Sequence, residues 1–176
     1  MKQIKKIILT IIIALIACVS LTGCEKANTY RKFYNNESLL PKDHILDEVS
    51  YKELKKLIVA NEGSEEYIYV FIGTPSNSDA QTKAVVFNEQ ARQYGVKTLY
   101  WLDTELSDKR LETLKLDLQM NSFDKNQAYL LSYQDGKIKF DSSSASCSRK
   151  DGDESGAKLS NTILAANCFQ NKTERK

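Results

Sequence analysis

The chain has 176 residues, enough for one domain with a substantial core. Its 25 Lys and Arg stand against 23 Asp and Glu, a near balance that excludes the strongly basic surface a nucleic-acid backbone demands. One histidine, His44, and four scattered cysteines give no metal-ligand spacing, and the seven glycines form no phosphate-cradling loop, so no metal and no cofactor are expected.

The first element is a targeting segment. Lys2, Lys5 and Lys6 precede an apolar run from Ile7 to Val19, the pattern of a signal peptide. The run is shorter than the roughly 20 residues a spanning helix needs, and it ends in small residues at a cysteine. Leu21-Thr22-Gly23-Cys24 resembles the lipobox of bacterial lipoproteins. That resemblance implies cleavage after residue 23, a diacylglyceryl thioether on Cys24, and attachment to the extracytoplasmic face of a bacterial cell membrane. Two acyl chains hold a protein far more firmly than one. Removing 23 of 176 residues leaves 153, and with the three lysines gone 22 basic groups face 23 acidic ones.

Cysteine use follows from that cut. Cys18 leaves with the signal and Cys24 carries lipid, so Cys147 and Cys168 remain, an even number in an extracytoplasmic setting. A disulfide between them is the expectation, closing a loop of about 20 residues and contributing about 3 kcal/mol. Two free thiols are the alternative.

Residues 24–40 form the lipidated N-terminus and a polar tether without sustained periodicity, and 41–170 the folded domain. Ser50-Tyr51-Lys52-Glu53 is a capping box opening a helix with Leu54, Leu57 and Ile58 on one face, stopping near Gly63. The Tyr-Ile-Tyr-Val-Phe-Ile run within Glu66 to Gly73 reads as a strand buried on both faces. The turn Thr74 to Ser78 leads into a helix carrying Ala84, Phe87, Ala91 and Tyr94, with Gly95 at its end. Val96 to Leu102 is a second buried strand. A helix over Asp108 to Met120 follows, with Leu111, Leu114 and Leu118 on one stripe. Ala128 to Tyr133 and Lys137 to Phe140 form a hairpin around Asp135-Gly136. Asp141 to Gly156 is an exposed loop holding Cys147, and a last helix runs through Leu159, Ile163 and Leu164 to Cys168. Residues 171–176 are a charged tail. Strand–helix–strand units call for parallel pairing and the hairpin adds antiparallel strands, so the class is α/β with a mixed sheet flanked by helices.

This succession resembles the thioredoxin fold over about Asp47 to Cys168. Tyr69-Val70-Phe71-Ile72-Gly73-Thr74-Pro75-Ser76 and Tyr100-Trp101-Leu102-Asp103-Thr104-Glu105 are similar to frames in small thioredoxin-like proteins related to bacteriocin transport accessory proteins. In that family the first strand ends in Gly-x-Pro-x-Cys-x-x-Cys. Here the two cysteine positions fall on Asn77 and Ala80, and the slot of the cis proline falls on Ala128. Thiol–disulfide exchange needs a thiolate at the helix N-terminus, which neither Asn77 nor Ala80 supplies. The resemblance thus implies a redox-inactive thioredoxin-like domain, non-catalytic, serving a protein or peptide partner at the cell surface.

Other chemistry finds little footing. A serine nucleophile in Ser76-Asn77-Ser78-Asp79 needs a base within reach, and His44 lies ahead of the first helix of the domain. That turn reads as an N-cap rather than an anion site, since Asp79 repels an anion. Asp151-Gly152-Asp153-Glu154 is too short for a calcium loop. Tyr67, Tyr69, Tyr100 and Trp101 line either a binding face or the core. The alternative enzyme is a thiol–disulfide oxidoreductase using Cys147 and Cys168, with Cys168 near a helix C-terminus, where the dipole raises a thiol's pKa.

Overall fold

A computed structural model describes residues 26–35, 38–105, 108–144 and 154–170. The expected signal segment, Cys24, Cys147 and the tail 171–176 lie outside the described residues.

The first described element corrects the expected tether. Residues 26–34 form a helix, α1, and it belongs to the domain. Thr29 and Phe33, four positions apart and hence on one face, are fully buried. The Phe33 ring packs 5.0 Å from Trp101 and 6.4 Å from Phe71, centroid to centroid. Lys32 closes the contact, its Nζ 2.6 Å from Glu48 Oε1 and 5.4 Å from the Trp101 ring. One apolar side chain per turn is too sparse a pattern to announce a helix, which is why the segment reads as polar and aperiodic.

β1 (Leu46–Glu48) was not anticipated either, being three residues long. α2 (Tyr51–Ala60) opens on the expected capping box, with Glu53 N donating to Ser50 Oγ at 3.3 Å and Ser50 N to Glu53 Oε2 at 2.9 Å. β2 (Ile68–Ile72), α3 (Ser78–Gln93), β3 (Leu99–Leu102), α4 (Asp108–Asp117), β4 (Tyr129–Gln134), β5 (Lys137–Asp141) and α5 (Glu154–Gln170) follow. The β4–β5 turn puts Asp135 at φ 56° and Gly136 at φ 65°, the doubly left-handed turn that the Asp-Gly pair favours.

The sheet runs in the order β1-β3-β2-β4-β5. β1, β3 and β2 are parallel, and β4 lies antiparallel between β2 and β5. Alternation along β2 feeds two cores. Val70 and Ile72 face Leu54 and Ile58 of α2 and Leu114 of α4. Tyr69 and Phe71 face Phe33 of α1, Phe87 of α3 and Phe169 of α5. This is an α/β, thioredoxin-like mixed sheet with helices on both faces. Among the described residues no helix is long and apolar enough to cross a membrane.

Candidate functional site

The positions singled out by the resemblance lie at the end of β2, where the chain turns into α3. Gly73 closes the strand, its N–H donating to Leu102 O at 3.2 Å and its carbonyl accepting from Trp101 Nε1 at 2.8 Å. A Cβ at this position would stand 2.8 Å from Ala128 Cβ and 3.0 Å from Ala80 Cβ. Three chain segments therefore meet at van der Waals distance, and only glycine fits at their centre. Ala80 and Ala128, two of the positions carried over from the family, are both buried in that contact.

Asn77, the third such position, is the N-cap of α3. Its Oδ1 accepts from Asp79 N at 2.8 Å, and its Nδ2 donates to Asn126 O at 2.5 Å. The cap thus ties the turn to the segment leading into β4. Gln81 Nε2 braces the turn from the helix side, donating to Pro75 O at 2.9 Å. Ser76 and Ser78 remain exposed at the tip.

Sequence reasoning missed Asp79 and Lys83 as partners in this region. Asp79 Oδ2 accepts from Ala128 N at 2.9 Å and from Lys83 Nζ at 2.8 Å, while Lys83 Nζ also donates to Ala128 O at 2.8 Å. The ion pair is mostly shielded, with 16% and 20% of the side chains exposed, and it brackets both backbone groups of the residue before β4. The i,i+4 spacing of Asp and Lys was readable, but its target, 45 positions downstream, was not. Among the described residues there are no cis peptide bonds, Ala128 included.

No histidine stands at this turn, and its one carboxylate, Asp79, is held by Lys83 and Ala128 N. His44 is buried just ahead of β1, its Nε2 donating to Lys26 O, at the start of α1, at 3.1 Å. Burial holds its pKa below the ordinary value. Among the described residues no cluster of three His, Cys, Asp or Glu could hold a metal ion.

Cys168 lies on the buried face of α5, in one core cluster with Tyr69 and Phe169, and is a free thiol among the described residues. Burial pushes its pKa up, the opposite of what an attacking thiolate needs. Its expected disulfide partner, Cys147, lies outside the described residues.

The four aromatics divide as their strand positions dictate. Tyr69 and Trp101 are core. Tyr67 and Tyr100 are half-buried and line a cleft of about 760 Å³ with Asn61, Glu65, Glu66 and Lys97. That cleft opens at the starting ends of β2 and β3, the opposite end of the sheet from the turn into α3. No family model matches the chain, and no curated protein matches it in sequence.

Proposed function

We propose that the chain is a lipid-anchored extracytoplasmic lipoprotein, held by Cys24, whose redox-inactive thioredoxin-like domain binds a protein or peptide at the bacterial cell surface. One observation carries the non-catalytic half of this reading. The groups at the start of α3 are consumed by structure: Asn77 caps, Ala80 fills, and Asp79 with Lys83 secures Ala128. A thiol enzyme leaves a cysteine free at that place, and here the positions hold Asn77 and Ala80 instead. The sequence Leu21-Thr22-Gly23-Cys24 supports the anchored half.

Two measurements on the mature protein test the two halves. Intact mass should show an N-terminus at Cys24 carrying diacylglycerol, and an unmodified cysteine would remove the anchor. Photo-crosslinkers at Ser76, on the turn, and at Tyr100, in the cleft, should capture a discrete partner in native membranes, while the protein leaves disulfide substrates untouched. Catalysed thiol–disulfide exchange would overturn the binding-module reading.

A further inference from the structure

The geometry points to a defined resting pose: the domain lies on the bilayer with the outer side of α1 against the lipid headgroups. This rests on the lipidation of Cys24 proposed above. Cys24 precedes Lys26, the first residue of α1, by two positions, and two extended residues span at most about 7 Å. A 16-residue flexible tether would instead let the domain wander by roughly 20–24 Å. Because α1 is packed into the core through Thr29 and Phe33, the body of the fold begins within that span of the anchor.

The surface that α1 turns outward suits a headgroup layer. Tyr30 and Tyr34, one turn apart, stack at 5.6 Å, and Tyr34 is 63% exposed. Leu39, just past the helix, is 86% exposed. Lys42 Nζ sits 5.7 Å from the Tyr30 ring, and Lys26 and Arg31 are exposed beside it. Positions 26–42 hold four basic residues, of which Lys32 is paired with Glu48, and a single acidic one, Glu37, while the rest of the mature chain is net acidic. Tyrosines with flanking cations are the side chains that settle at a membrane–water interface, and exposed Lys and Arg are drawn to anionic headgroups. The occupant is therefore the leaflet that carries the anchor.

The alternative pose stands the domain on the end of its sheet. Lys26 is bonded to His44, at the starting end of β1, whereas Lys32 meets Glu48 and Asp103 at the finishing ends of β1 and β3. α1 thus runs alongside the strands, and an upright domain would bring Lys97 and the cleft to the lipid instead of Tyr34.

The test uses the full mature lipoprotein with one added tryptophan, Tyr34→Trp, Lys97→Trp or Leu116→Trp. Each is placed in vesicles of phosphatidylethanolamine and phosphatidylglycerol with brominated acyl chains. Trp101, fully buried, gives the same background in all three. Leu116 is exposed on α4, in the opposite layer. The expected result is loss of the added emission in Tyr34→Trp alone. Quenching of Lys97→Trp in its place, or equal quenching of all three, overturns the pose. A protein that floats with the vesicles but shows no quenching refutes the pose and leaves the anchor standing. A protein that does not float refutes the anchor, and the pose with it.

Discussion

Phe33→Ala decides whether the residues after Cys24 are a leash or part of the fold. Phe33 is fully buried between Trp101 and Phe71. Truncating a buried phenylalanine to alanine costs about 3–5 kcal/mol in lost transfer energy and cavity. For a chain of 153 residues each kcal/mol moves the midpoint by about 2–4 °C, so the variant should melt roughly 6–20 °C below the parent. The assay is urea and thermal unfolding of the mature protein followed by Trp101 emission, since this single tryptophan touches the deleted ring. Tyr34→Ala, one position along and mostly exposed, is the control and should stay within about 0.5 kcal/mol. A Phe33→Ala loss no larger than that of the control would refute the packing of α1, and the argument for a fixed pose would go with it.

Two further outcomes follow from buried polar groups. Lys83→Met strands Ala128 O and leaves Asp79 with a single backbone donor, so a loss of about 1–3 kcal/mol in urea unfolding is expected; an unchanged midpoint would show the bracket to be idle. His44 is neutral and buried, with its pKa depressed by that burial below 6.5. As pH falls beneath 6.5 the unfolded chain takes up the proton first, so stability should be flat above that value and decline below it until the folded-state pKa is passed. His44→Gln should abolish this decline, and stability that rises from pH 7 to pH 5.5 would contradict it.

Most of the sheet was legible because its signals are local. The apolar run of β2, the capping box of α2 and the Asp-Gly turn each act over a few neighbouring residues, and each stands where the sequence put it. What escaped reading depends on partners far along the chain. α1 is helical on the strength of Thr29 and Phe33, and Phe33 acquires its meaning only from Trp101, 68 positions away. β1 is three residues that pair with β3, and a pairing that short leaves no periodicity to read. At the site, the identities of Asn77 and Ala80 were enough to remove the thiols, and Ala128 to remove the proline. The bracket that Asp79 and Lys83 place on Ala128 needed the third dimension.

The missed helix also changes what anchoring means for the site. On a long leash, the turn at Ser76 and the cleft at Tyr100 would sample every distance from the membrane, and a partner could approach either from any side. With α1 fastened to β1 and β3 through Lys32, Glu48 and Phe33, an anchor at Cys24, as proposed, would be held within two residues of the body of the sheet. α1 spans about 13 Å at 1.5 Å per residue and runs alongside the strands. Lying on it would hold the turn and the cleft at comparable heights, at opposite ends of the sheet, both open sideways to the solvent over the leaflet. A partner reaching either end would have to arrive along the membrane plane, which favours one that is itself held at the membrane. The geometry of a two-residue link, rather than any residue in the turn, is what would select such a partner.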